Sequence, residues 1–164
     1  MVGGARSVKS AFAERLATEC GEPVLYVATA TAVDAEMAER IARHRAERTS
    51  TWHTIEVPVG VAERVAADRG DARTVLVEDL TLLLSNLMAY AADRAEAQAT
   101  EEVEALLALR AHVVLVSNEV GMGVVPEYPL GRQFRDALGR VNQSAAAGCD
   151  EAYLLVAGLP LRLK

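Results

Sequence analysis

The chain has 164 residues, 51% of them apolar but only 4% aromatic, and a net charge of −6. Such a length suits one domain, residues 1–164, with a core built from Ala, Val and Leu. The acidic balance argues against a general nucleic-acid or anionic-membrane binder, and no apolar run is long enough for an integral membrane segment, so a cytoplasmic protein is expected. Cys20 and Cys149 lack C-x-x-C spacing and read as ordinary buried thiols, with no structural zinc.

The chain opens on Gly3-Gly4-Ala5-Arg6-Ser7-Val8-Lys9-Ser10, almost the phosphate-binding loop G-x-x-x-x-G-K-[ST]. In such a loop backbone N–H groups wrap a polyphosphate at a helix N-terminus, the Lys neutralises the outer phosphates and the Ser hydroxyl holds Mg²⁺. Two features depart from it. Val8 stands where the second glycine belongs, and a β-branched residue resists positive φ. The strand leading into the loop is cut to Met1-Val2. A chance glycine-rich start running into a helix is the competing reading.

A helix is predicted from Lys9 to about Glu19, stopped by Gly21-Glu22-Pro23, and a buried parallel strand over Val24–Ala30. Asp34 is placed to cap a helix running to about Arg48, with Met37, Ile41 and His44 on one face. A short strand over His53–Val57 ends at Pro58, and a helix over Val61–Asp68 leads through Gly70-Asp71 to a strand over Thr74–Asp79. Helices are expected over Leu80–Ala92 and Thr100–Ala111, then a strand over His112–Asn118 and a glycine-rich loop over Glu119–Pro126. A helix over Leu130–Ala147 and strands over Glu151–Ala157 and Leu161–Lys164, broken at Gly158 and Pro160, complete the chain. This alternation indicates an α/β protein, a mostly parallel sheet with helices on both faces.

Ligands of such sheets sit beyond the strand C-termini, which singles out Thr29, Glu78-Asp79 and Asn118-Glu119. A carboxylate there can hold Mg²⁺ through water or activate an attacking hydroxyl, whereas Asp is also a favoured N-cap. Glu78 is therefore assigned to the site and Asp79 to the cap of the following helix. His44 lies among Arg40, Arg43, Arg45 and Arg48, a positive island suited to a phosphate-bearing ligand. Its imidazole is either a nucleophile toward phosphorus or a half-buried helix residue among arginines that pair with Glu36, Glu39 and Glu47. His53 and His112 begin strands and read as structural.

Several blocks occur together in order: Gly3–Ser10, Glu36-Met-Ala-x-Arg40-Ile-x-x-His44, Trp52-x-Thr-x-Glu56, Leu80-Thr, Ser85-Asn86-Leu87, Ser117-Asn-Glu-Val-Gly-Met-Gly-Val-Val-Pro-Glu127 and Phe134-Arg-Asp-x-x-Gly-Arg-Val-Asn-Gln143. Across essentially the whole chain this pattern resembles the bifunctional adenosylcobinamide kinase / adenosylcobinamide-phosphate guanylyltransferase family. The resemblance implies a RecA-like P-loop fold, here with the first strand largely missing, and a homotrimer with nucleotide sites near the subunit interfaces. It implies phosphorylation of adenosylcobinamide by ATP or GTP, then GMP transfer from GTP to adenosylcobinamide phosphate through a GMP–histidine intermediate.

By the same resemblance His44 is the nucleophile, with Arg45 and its neighbours as phosphate contacts. Gly3, Gly4, Ala5, Arg6, Ser7, Val8, Lys9 and Ser10 bind nucleotide, Lys9 and Ser10 matching the phosphate-loop Lys and the Mg²⁺-binding Ser, and Glu78 is the strand-end carboxylate. Family members carry a full apolar strand before the loop and a glycine where Val8 stands. A gap in the sheet, a poorly anchored loop and weakened triphosphate binding through Lys9 are therefore expected. A second reading is a catalytically impaired nucleotide-binding homo-oligomer of the same fold.

Overall fold

The computed structural model describes residues 1–30 and 52–164. The predicted helix from Asp34 to Arg48, with its arginine island, lies outside the described residues. The elements in order are β1 (Val2–Gly3), α1 (Lys9–Cys20), β2 (Val24–Ala28), β3 (Trp52–Glu56), α2 (Val61–Asp68), β4 (Thr74–Glu78), α3 (Leu80–Ala91), α4 (Ala95–Leu107), β5 (His112–Leu115), α5 (Pro129–Gly148), β6 (Tyr153–Val156) and β7 (Leu159–Arg162).

The apolar strand runs pair in parallel in the order β3-β2-β4-β5. Strand side chains alternate faces, so each run divides between two cores. Val24, Tyr26 and Ala28 of β2 join Leu76 of β4 and Val114 and Val116 against Ala13 and Ala17 of α1. Leu25 and Val27, with Val75, Val77 and Leu115, face the opposite way onto α2, α3, α4 and α5. The small alanines of α1 let that helix lie close to the sheet. The opposite layer is filled by Leu80, Leu83, Leu84, Leu106 and Leu138, each 1% exposed or less. This is the predicted α/β architecture, with helices on both faces.

The expected gap at the first strand does not form. Met1–Gly3 lies between β5 and β6 as a stub: β1 pairs in parallel with β6 through Val2–Leu154 and Gly3–Leu155. On its other side Met1 N donates to Leu115 O at 2.6 Å, Ser117 N to Met1 O at 3.0 Å and Glu119 N to Gly3 O at 3.1 Å. Backbone pairing on both flanks needs no particular side chains, so the three residues Met1–Gly3 suffice to link β1-β6-β7 to the four-stranded sheet and to fix the base of the loop.

Strands β2 and β5 end earlier than expected, at Ala28 and Leu115, and two further departures have a clear physical reason. The helix predicted over Thr100–Ala111 starts at Ala95 and ends at Leu107. The stretch before Thr100 is alanine-rich with no Gly or Pro to stop a helix, and Ala95, Ala99, Val103 and Leu106 form its buried stripe. At the C-terminus β6 and β7 form an antiparallel hairpin around Ala157 (φ 51°) and Gly158 (φ 81°). Two left-handed residues make the tight turn whose twist matches a hairpin. Pro160 sits inside β7 rather than breaking it, because β7 is an edge strand. Cys20 and Cys149 are free and only half-buried. No helix among the described residues is long and apolar enough to cross a membrane.

Candidate nucleotide site at the sheet edge

The loop between β1 and α1 closes over a narrow space. A Cβ on Gly3 would stand 2.7 Å from Leu155 O and 2.7 Å from Ser7 Oγ, so only glycine fits there. Val8 adopts φ 68°, ψ 26°, the left-handed conformation that glycine would supply, and its side chain stays 53% exposed. The β-branched residue therefore does not prevent the loop from closing, but such a conformation stores about 1–3 kcal/mol of strain. A glycine would relieve it while adding about 0.5–1 kcal/mol of chain freedom to the unfolded state. Val8→Gly is accordingly expected to raise the unfolding free energy by about 1 kcal/mol. Urea denaturation would read this as a higher midpoint at unchanged slope; a lower midpoint would mean that Val8 is unstrained.

Val8 makes no side-chain cap to α1, and the first turn of that helix carries no acidic residue. The leading N–H groups and the positive end of the helix dipole thus face the loop, a disposition that favours an anion. Lys9 is 8% exposed, and its ammonium donates to Gly4 O across the loop at 2.8 Å. Ser7 Oγ is buried inside the loop with no hydrogen-bond partner among the described residues.

One residue after Lys9, the Ser10 hydroxyl donates to Glu78 Oε1 at the C-terminal end of β4. Tyr26 on β2 donates to Glu78 Oε2 at 3.0 Å. Tyr26 was not legible as a site residue. It reads as part of an apolar strand run, although the two-residue alternation does put it on the face that α1 covers. Ser10 and Glu78 together offer two hard oxygen donors beside a phosphate-binding loop, the donor chemistry of a Mg²⁺–nucleotide site. No group of three or more His, Cys, Asp or Glu side chains suited to a metal occurs among the described residues, so phosphate oxygens and water would complete such a shell.

Asp79 plays the structural part predicted for it. Its Oδ1 accepts from Leu82 N at 2.8 Å, capping α3, and its Oδ2 accepts from Asn118 Nδ2 at 3.1 Å. Burial holds its carboxyl above the usual carboxylate range, with Glu78 adding to the effect and the Leu82 amide opposing it. Around it, Thr29 Oγ1 donates to Asp79 O at 2.8 Å and Asp79 N donates to that hydroxyl at 2.7 Å. Asn86 Nδ2 bonds Thr29 O and Pro58 O, and Asn142 Nδ2 bonds Asn118 O at 3.1 Å. The strand-end residues Thr29 and Asn118 therefore brace the edge on which Glu78 stands.

The raised pKa of Asp79 has a definite sign. In the folded protein the ionised form is the costly one, so its contribution to stability is best below the ordinary carboxylate range and declines as pH rises through the folded pKa. Unfolding free energies of the wild type and Asp79→Asn, compared from that range to neutrality, are expected to diverge with the wild type losing ground as pH rises. A difference independent of pH would remove the claim.

The structure thus brings Gly3–Ser10 and Glu78 to one edge. His44 and Arg45 lie outside the described residues. Beyond β5, Glu119 Oε1 accepts from Gly121 N at 2.5 Å, and the loop exposes Met122 and Val124 at 77% and 95%. Sequence reasoning marked this stretch as a loop without seeing its exposed apolar side chains.

Comparison with known proteins agrees with this architecture. The family model described as cobinamide kinase / cobinamide phosphate guanyltransferase matches residues 1–163. The bifunctional adenosylcobalamin biosynthesis protein CobP of Pseudomonas aeruginosa is 44% identical over 165 residues, covering 100% of this chain and 95% of that protein. The bifunctional adenosylcobalamin biosynthesis proteins CobU of Escherichia coli and Salmonella typhimurium are 42% and 40% identical, each covering 100% of this chain and 98% of its own length. With a P-loop at the sheet edge and full-length similarity, the chain belongs to the cobinamide kinase / cobinamide phosphate guanyltransferase family of enzymes.

Proposed function

We propose that this protein phosphorylates the aminopropanol hydroxyl of adenosylcobinamide with ATP or GTP, then transfers GMP from GTP to the new phosphate. The products are adenosylcobinamide-GDP and pyrophosphate. The observation that carries the reading is the convergence of Lys9, Ser10 and Glu78 at the mouth of the loop, in a chain matched over its length by this family.

In the first reaction the substrate hydroxyl attacks the γ-phosphorus and the nucleoside diphosphate leaves. Loop N–H groups and the Lys9 ammonium neutralise charge on the phosphoryl oxygens, where positioning and electrostatics do most of the work. Ser10 and Glu78 would hold Mg²⁺, which supplies further charge neutralisation of the triphosphate. In the second reaction a ring nitrogen of His44 attacks the α-phosphorus of GTP, and the bond to the departing pyrophosphate breaks. An oxygen of adenosylcobinamide phosphate then displaces His44, breaking the P–N bond and restoring the imidazole. Arg45 and the neighbouring arginines suit the phosphates of that intermediate.

We place the enzyme in the cytoplasm as a homotrimer. The exposed apolar side chains of the terminal hairpin, Val156, Leu159 and Leu161, are the kind of surface that a subunit contact covers.

The test is turnover of adenosylcobinamide with GTP and Mg²⁺, followed by chromatography and mass spectrometry. Adenosylcobinamide phosphate is expected first and adenosylcobinamide-GDP second. A folded sample that binds GTP and forms neither product would favour the second reading, an impaired nucleotide-binding homo-oligomer, for which the strained Val8 is the supporting observation.

A further inference from the structure

The edge of the sheet opposite the phosphate loop carries an open cavity of about 460 Å³, lined by Arg69, Asp71, Arg73, Arg110 and His112 among others. The topology brings these residues together. Arg69 caps the C-terminus of α2, Arg73 precedes β4, Arg110 lies in the turn after α4, and His112 opens β5. Strands β4 and β5 pair in parallel with Thr74 opposite His112, so their leading ends stand side by side.

The backbone there is pinned. Arg73 N donates to Pro23 O at 2.9 Å, and His112 N donates to Arg73 O at 2.9 Å. Arg69 acts as a strut, with Nη1 donating to Ala72 O at 3.3 Å and Arg110 O at 3.4 Å. The Arg73 guanidinium rests against Gly21, its Cζ 3.5 Å from where a Cβ would stand.

Charge is the distinguishing feature. Arg15, Arg64, Arg135, Arg140 and Arg162 each pair with a carboxylate. Among the described residues Arg69, Arg73 and Arg110 have no such partner, nor do Arg6, Arg94 and Arg132, but only the first three line one cavity. Three arginines thus line one cavity, with Asp71 the only carboxylate among its lining residues, in a protein of net charge −6. Clustered arginines without carboxylate partners repel one another, and a bound anion offsets that repulsion. The planar fork of guanidinium matches phosphate oxygens, and several such forks around one space match a ligand with several anionic oxygens.

We propose that this edge is a second anion site, taking a small oligophosphate, separate from the nucleotide loop. Thr74 and Glu78 mark the two ends of β4, so the sites lie roughly 13 Å apart along the strand. The proposal does not rest on the reaction assigned above.

The test is calorimetric titration of inorganic tripolyphosphate into Lys9→Ala protein, in which the loop's own contribution is reduced. Binding that persists in Lys9→Ala, weakens at least about tenfold when Arg73→Ser and Arg110→Ser are added, and falls with added salt is expected. Both side chains are exposed, and circular dichroism checks that the fold is kept. Should the double change unfold the protein, Arg110→Ser alone carries the same comparison with a smaller expected loss. Disappearance of binding in Lys9→Ala itself, or binding unchanged by the arginine substitutions, overturns the second site.

Discussion

His44→Ala is expected to abolish GMP transfer while leaving phosphorylation of the cobinamide hydroxyl within a few-fold of wild type. The two reactions make opposite demands on the protein. Phosphoryl transfer to a hydroxyl asks for positioning and charge neutralisation and needs no covalent protein intermediate. Transfer of GMP through the enzyme needs a nucleophile, and imidazole supplies one that attacks phosphorus and leaves again. An alanine at position 44 removes that group altogether, so the loss should be complete rather than partial. Intact-protein mass spectrometry after incubation with GTP and Mg²⁺ reads the intermediate directly. The wild type should carry an acid-labile GMP adduct and the variant none. An adduct that persists in His44→Ala would place the nucleophile elsewhere, and retained kinase activity in the same sample would exclude global unfolding as the cause.

Much of the fold was legible because it depends on short-range pattern. Val24–Ala28 and the Val75–Val77 centre of β4 are apolar runs suited to a sheet covered on both faces. The phosphate loop was legible from residue types at fixed spacing, and Asp79 from its place just before a helix. What escaped was whatever depends on contacts between distant segments. Tyr26 reaches Glu78 across 52 positions of sequence, and Asn86 joins Thr29 to Pro58; no local period announces either. The short β1 misled for a related reason. Strand length alone does not measure anchoring: backbone bonds to β6 on one side and to Leu115, Ser117 and Glu119 on the other hold even the short Met1–Gly3 stub. Val8 shows the converse. Its left-handed φ is disfavoured locally and is imposed by the loop around it, where Gly3 lies packed against Leu155.

Lys9→Ala should lower phosphoryl transfer roughly 10²–10³-fold, the loss typical when one preorganised electrostatic contact to the transition state is removed. The buried ammonium is held on Gly4 O at 2.8 Å, so it is positioned within the loop and reaches a triphosphate by a short swing rather than by recruitment from solvent. Its charge matters most where oxygens gain charge as the bond to the leaving group breaks, which puts the loss in kcat more than in KM. Lys9→Arg should not restore the activity, because a planar fork is bulkier than an ammonium and the site is closed to 8% exposure. GMP transfer in Lys9→Ala then discriminates between two arrangements. Among the described residues Gly3–Ser10 is the one phosphate-cradling loop, so a parallel fall in adduct formation means that GTP for both reactions is held there. A kinase-only defect would instead assign the guanylyl donor to a separate site around His44. Full kinase activity in Lys9→Ala would refute the role of the loop itself.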